Sequence, residues 1–430
     1  MGKVGVVDLG SGYFKAVIAD EQANVEAAYE LRSRGVERGA VVKSSLARKL
    51  LKDVIVGAEA SVNGSKPDGY HVLLSHPSLK SQNVRVSLDF QDEMREITEA
   101  EIEELVKKAK ASADEVGYEI VHVVPRYFLL DGERYFEPYG LVASKFEGEF
   151  HVVKLPVSVT RNVSRLLTGI GYKAYGVYFP ALMAGKAVEE GDEVDYNTLL
   201  IDLGHTTTGF VFYEKGAPLV SGVVPAGGKD LVQAVAKTFR IPAKEAESLV
   251  QDFGTVLPYS VEETEEVSVK VREGREVSLK LRDLAFVLEK ELIALLEEVL
   301  LRLHKSGVNV DEELDRVVLV GGLTQLRGVK ELLEEALERE VVLGIPYAAD
   351  QFSGKVHNPM FAPAVGTIFY LQDLSWKVED GLGDLFGLPE TEAEPPLEPL
   401  PPAEGAPEEP KKKGLFGRII GFFKGIFSED

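Results

Sequence analysis

The chain has 430 residues, enough for about three domains at roughly 150 residues each, so a large core can form without disulfides or structural metals. Apolar residues make up 45% and charged residues 27%, which excludes wholesale disorder and fibrous structure. With 48 Lys and Arg against 70 Asp and Glu, the formal charge of −22 repels phosphate backbones, so no nucleic-acid partner is expected; the absence of Cys removes thiolate metal sites and thiol nucleophiles and fits a reducing compartment such as the cytosol.

The first residues, MGKVGVVD, are too short an apolar run for a secretory core. No uninterrupted apolar stretch reaches the roughly 18 to 20 residues that span a bilayer, so any membrane contact is expected to be peripheral. Residues 4–20 (VGVVDLGSGYFKAVIAD) and 199–213 (LLIDLGHTTTGFVFY) share one pattern: apolar strand, Asp-Leu-Gly, small polar residues, apolar strand. Each reads as a hairpin, and the repetition predicts two related halves. Between them, residues 79–156 alternate strand (VRVSLDF), helix (99–116) and strands (IVHVV, RYFLL), which predicts an inserted α+β subdomain.

After the second hairpin come VVPAGGKD, a helix through Phe239, and a helix over 243–253 stopped by Gly254. A long amphipathic helix over 281–305 leads to a buried strand, 316–320, a Gly321-Gly322 turn and a helix over 328–340. Residues 378–410 then hold 10 acidic residues, 8 Pro and no Lys or Arg, a composition that predicts an extended linker. Three lysines follow, and then GLFGRIIGFFKGIF. On a helical wheel Leu415, Phe416, Ile419, Ile420, Phe422, Phe423, Ile426 and Phe427 share one side, which predicts a membrane-binding interfacial helix.

An Asp at the end of a buried strand, followed by Gly and small hydroxyl residues in a tight turn, places a carboxylate beside several backbone N–H groups. That suits a phosphate with its magnesium. The first turn offers Asp8, Gly10, Ser11, Gly12 and, on the outgoing strand, Lys15; the second offers Asp202, Gly204, His205, Thr206 and Thr207. Two such turns can clamp one polyphosphate from both sides. Gly321 and Gly322 could bring backbone close to a flat base or ribose. Neither the G-x-G-x-x-G fingerprint nor the P-loop is present.

In this order, DLGSGYFK, IDLGHTTTGF and LVGGLTQLRGVKELL resemble the two phosphate loops and the adenosine motif of the actin and Hsp70 ATPase superfamily, over residues 4–371. Within it the chain is similar to the FtsA family, through RYFLLDGERYFEPYG in the insert, residues 247–254, and the linker with its apolar tail. The resemblance implies an α/β, actin-like two-lobe ATPase fold with two RNase H-like halves. Its parts would be the first lobe (1–78, returning at 157–193), the insert (79–156), the second lobe (194–226 and 311–376) with its small subdomain (227–310), the linker (377–413) and the membrane helix (414–430).

The resemblance also implies ATP and magnesium bound between the lobes, self-association into filaments, and attachment of the division protein FtsZ to the cytoplasmic face of the membrane at the division site. The implied nucleotide contacts are Asp8, Gly10, Ser11, Gly12, Tyr13, Lys15, Asp202, Gly204, His205, Thr206, Thr207, Gly227, Gly228, Lys229, Glu247 (to ribose), Gly321, Gly322 and Leu323, with Asp8 and Asp202 holding magnesium through water. The FtsZ C-terminal peptide would meet the small subdomain, with Arg240, Lys244, Lys270 and Arg272 as candidate contacts, and other division proteins are possible partners. Two departures stand out: Val250 replaces a Lys common in the superfamily, and Phe179 stands where an acidic or amide side chain often positions the attacking water. Slow hydrolysis at most is therefore expected. Two alternatives share the fold, a PilM-like scaffold for pilus assembly and a kinase of the superfamily.

Overall fold

The two halves of the protein lay out five strands in the same spatial order, third, second, first, fourth, fifth, in a computed structural model that describes residues 3–62, 64–91, 93–188, 196–271, 276–347 and 356–375. In the first half these are Val4–Leu9, Tyr13–Ala19, Val25–Arg32, Gly69–Leu73 and Lys173–Tyr178; in the second, Thr198–Leu203, Thr208–Glu214, Ala217–Val224, Arg316–Val320 and Glu340–Leu343. Strands one to three of each half form an antiparallel meander, and strands four and five add in parallel. The expected linker, the apolar helix with Leu415 through Phe427, and Arg272 lie outside the described residues.

The first strand of each half is central in its sheet and covered on both faces, so it reads as a continuous apolar run, VGVVDL or TLLIDL, rather than an alternation. The aspartate near its end reaches the edge of the sheet. There the hairpin register sets Asp8 opposite Lys15 and Asp202 opposite Gly209.

Parallel neighbours cannot be joined by a hairpin, and the long crossovers this demands are where the halves diverge. In the first half, helix Ser44–Glu59 joins strands three and four; in the second, three long helices (Gly228–Phe239, Ala243–Phe253, Leu281–Lys305), the short helix Val310–Glu313 and the ribbon Glu266–Lys270 with Glu276–Lys280 do so. Between strands four and five, the second half has only helix Val329–Leu337, whereas the first half carries the insert and then helix Val157–Thr168.

The insert is a four-stranded sheet, ordered Glu133–Tyr135, Tyr118–Leu130, Lys145–Pro156, Lys80–Asp89, with helix Glu99–Ala113 on one face. Leu105, Ala109 and Ala113 of that helix pack with Phe128, Phe146 and Phe150 of the sheet in a core of their own. The insert also makes polar contact with the second lobe: Ser81 Oγ donates to Ser221 O (2.8 Å), Asn83 Nδ2 donates to Leu219 O (3.0 Å), and Arg126 pairs with Glu214 (2.6 Å). His151, fully buried, bridges Asn83 and Ser221.

Helices Pro180–Val188 and Ala362–Ser375 cross at the junction of the lobes. They approach so closely that a Cβ at Gly366 would lie 1.8 Å from Met183 O.

Some boundaries differ from the sequence reading. The helix expected over 99–116 ends at Ala113, because Asp114 turns to an extended conformation. The helix expected over 328–340 runs Val329–Leu337 and stops at Glu338, which is left-handed (φ 52°). Gly254 does end its helix, but at φ −61° rather than as a left-handed cap; a Cβ there would meet Val250 O at 2.3 Å, so close packing is what requires glycine.

Candidate nucleotide site

The two aspartate turns meet across one cavity of about 760 Å³. From the first turn its walls take Asp8, Gly10, Ser11, Gly12, Tyr13 and Lys15; from the second, Asp202, Gly204, His205 and Thr207. Gly228, Glu247, Gly321, Gly322 and Leu323 complete the set of expected residues in the wall. Thr206, Gly227 and Lys229 are not part of the wall.

Their positions have clear causes. Ser11 Oγ and Thr206 Oγ1 are 2.6 Å apart, and Arg38 N donates to the same threonine hydroxyl (2.9 Å), so the tips of the two turns touch and Thr206 faces the opposite lobe. Gly12 sits against His205, where a Cβ would come within 3.0 Å of the histidine Cβ. Gly228 N donates to Gly204 O (3.0 Å) and Lys229 N to His205 O (2.7 Å), so the first turn of helix Gly228–Phe239 is tied down on the second turn. Gly227 N donates to Asp230 Oδ2 (2.9 Å). The Lys229 ammonium points away from the cavity to Glu37.

Lys15 is buried and held on both sides: its Nζ is 2.7 Å from Asp8 Oδ2 and donates to Met360 O (2.6 Å). Among the described residues Asp202 has no such cation as a close partner. Burial, with the negative charge of Asp8 added, pushes its carboxyl up to about 7, and the more distant Lys15 opposes this. A carboxylate destabilised in this way gains from a divalent cation or a bound proton. Gly321, at φ +92°, presses against it; a Cβ there would lie 2.5 Å from Asp202 Oδ1. This donor set fits magnesium, which takes one or two carboxylates and completes its shell with water and phosphate oxygens. Among the described residues, no group of three or more His, Asp or Glu is placed to hold a metal by itself.

At the other end of the cavity, helix Ala243–Phe253 contributes Glu247, Val250 and Gln251, and the 321–327 loop contributes Gln325, Leu326 and Arg327. Glu247 is not free: its carboxylate accepts from Arg32 of the first lobe. Arg32–Glu247, Lys229–Glu37 and Arg38–Asp230 (3.7 Å) together strap the mouth of the cleft from lobe to lobe. Phe179 is fully buried beneath the cavity, with its N–H donating to His122 Nε2 (2.8 Å), while Pro180 reaches the wall.

Several wall residues were not anticipated. Arg327 lies inside the quoted motif LVGGLTQLRG, six residues after Gly321, and its side chain, bound to Gly254 O (3.1 Å), was discoverable there. Met360 and Ser75 carry no local signal. Ser75 follows the fourth strand of the first half, lines the cavity, and has a buried hydroxyl with no hydrogen-bond partner among the described residues. A buried hydroxyl in that state costs free energy unless a ligand or water satisfies it.

Comparison with known proteins places these features in context. Residues 199–366 match the family model "Cell division protein FtsA", and residues 77–154 match the model of the SHS2 domain inserted in FtsA. The cell division protein FtsA of Borreliella burgdorferi is 25% identical over 373 residues, covering 85% of this chain and 89% of that protein. Among solved structures, a PilM–PilN type IV pilus biogenesis complex aligns with TM-score 0.61 at 17% identity over 85% of this chain and 98% of that one. MreB5 of Spiroplasma citri bound to ADP aligns with TM-score 0.52 at 14% identity over 89% and 99%. At such identities the two structures speak for the actin-like fold alone. Among the described residues no helix is long and apolar enough to cross a membrane.

Proposed function

The chain belongs to the FtsA family of cell-division proteins, and from that premise we propose that it grips ATP and magnesium between its lobes, assembles with copies of itself, and tethers FtsZ to the cytoplasmic face of the membrane at the division site. The observation that carries the nucleotide reading is the meeting of both aspartate turns on one cavity. The phosphates would lie against the backbone N–H groups of the two turns. Magnesium would lie near Asp202, whose raised affinity for positive charge it would satisfy. Ribose and base would lie between helix Ala243–Phe253 and the 321–327 loop, with Glu247 exchanging Arg32 for ribose hydroxyls.

Bound magnesium would neutralise charge developing on the phosphates. The chain's own residues supply little beyond positioning. Phe179 is buried and apolar, and the only fully buried hydroxyl lining the cavity without a partner among the described residues is that of Ser75. Hydrolysis is therefore slow, and nucleotide acts mainly to hold the lobes in one relation.

Residues 411–430, with the run Lys411-Lys412-Lys413 and the apolar face from Leu415 to Phe427, would be the membrane anchor. One such helix binds reversibly, and a row of assembled copies binds by avidity. Exposed Arg240, Lys244 and Lys270 on the small subdomain offer charge complementary to an acidic FtsZ tail. Calorimetry tests the core of this reading: wild-type protein takes up one ATP per chain in magnesium, and Asp8→Ala with Asp202→Ala abolishes uptake while leaving the fold intact by circular dichroism. Undiminished uptake by that double variant would place the nucleotide elsewhere.

A further inference from the structure

In a chain of net charge −22, one face of the first lobe is dominated by cations. Residues 151–188 contain no Asp or Glu, and within them helix Val157–Thr168 exposes Arg161 and Arg165, one turn apart. This helix packs beside helix Ser44–Glu59, which exposes Arg48, Lys49 and Lys52, with Lys43 at its N-cap. Arg48 joins the two sets: a Cβ at Gly169, which caps the arginine-bearing helix, would lie 3.0 Å from Arg48 Nε.

All six cations are exposed, and none forms an ion pair among the described residues. Several cations elsewhere are matched to carboxylates, among them Lys80 and Lys154 with Glu115, Arg126 with Glu149 and Glu214, Lys229 with Glu37, and Arg282 with Glu263. Asp53 is the one exposed carboxylate on the two helices.

Six unmatched charges spread over two adjacent helices, on long side chains, suit a plane of phosphates. We propose that this face is an interaction surface for anionic lipid headgroups, a second membrane contact besides the apolar tail; it rests on the reading that the chain works at a membrane. The tail supplies apolar burial, and the face supplies charge selectivity and orients the body. Each cation held near an anionic surface strengthens binding about fivefold, less as salt rises.

The test uses the full chain and two kinds of vesicle, phosphatidylcholine alone and phosphatidylcholine mixed with phosphatidylglycerol. Arg161→Gln with Arg165→Gln is expected to weaken binding to the anionic vesicles by roughly tenfold or more and to flatten its salt dependence, without changing binding to neutral vesicles. Lys49→Gln with Lys52→Gln, on the other helix, is expected to act alike, which guards against a folding defect in one variant. Equal binding of wild type and both variants to anionic vesicles overturns the proposal, as does a larger loss on polyglutamate than on those vesicles. Phe422→Asp separates the two readings: it removes neutral-vesicle binding if the tail anchors, whereas the arginine variants report on the face alone.

Discussion

Asp202 is the residue at which burial, charge and function converge. Its carboxyl is pushed up to about 7, so the folded protein holds a proton there that the unfolded chain releases near 4. Folding stability from this group is therefore greatest below about pH 4 and declines as pH rises towards about 7, the reverse of a salt-bridged aspartate. Magnesium competes with the same proton. Apparent affinity for magnesium and ATP together is expected to rise several-fold between about pH 6 and about pH 8 in wild type and to stay nearly flat in Asp202→Asn, as read by calorimetry in buffers of matched ionisation heat. A parallel rise in both proteins would assign the titration to the nucleotide or to another group. At this scale the sequence was informative where chemistry repeats: Asp8 and Asp202 announce themselves by sitting in two copies of one pattern. Met360 and Ser75 could not be found that way, because only the folded chain brings them beside Lys15 and the cavity. Glu247 was anticipated as a wall residue, but its Arg32 partner, 215 positions away, was not.

Among elements, the crossing of helices Pro180–Val188 and Ala362–Ser375 is the most exacting. A side chain at Gly366 would drive a carbon to 1.8 Å from Met183 O, and that oxygen belongs to a helix backbone that cannot yield locally. Gly366→Ala is therefore expected to destabilise the protein by about 3 kcal/mol or more, read as a lower midpoint in chemical denaturation, whereas alanine at Gly64, an exposed glycine with open space around it, costs about 1 kcal/mol for its positive φ. Equal costs at the two sites would mean that the helices re-space freely. Hairpins, the long helix Leu281–Lys305 and the buried strand Arg316–Val320 were legible in the sequence because each has a strong period or an unbroken apolar run. Helix ends were less so, since Asp114 and Glu338 leave the helix through backbone geometry rather than through any composition signal. The contact of the insert with strand Ala217–Val224 was also hidden. It depends on polar side chains, Ser81, Asn83 and His151, with Arg126 reaching Glu214 on the neighbouring strand Thr208–Glu214, that alternate along strands just as solvent-facing residues do.

For the molecule as a whole, besides the touching tips of the two turns, the described residues join the halves through the crossed helices at the base, the polar seam of the insert, and the ion pairs over the cleft. They differ in strength. The crossed helices are buried, whereas the Arg32–Glu247 strap is half exposed and contributes less than about 1 kcal/mol. A cleft with a firm base and a weak strap can open to admit a ligand and close again on it, and two turns from separate halves then become one grip. The duplicated strand order made this legible from the repeated hairpins; the strap, built from exposed charges of no distinctive spacing, was not. The most direct test of that grip is a crystal grown with magnesium and a non-hydrolysable ATP analogue. The β- and γ-phosphates are expected between residues 10–12 of the first turn and 204–207 of the second, with the cation beside Asp202; phosphates held by one turn alone, or lying outside the cleft, would contradict it.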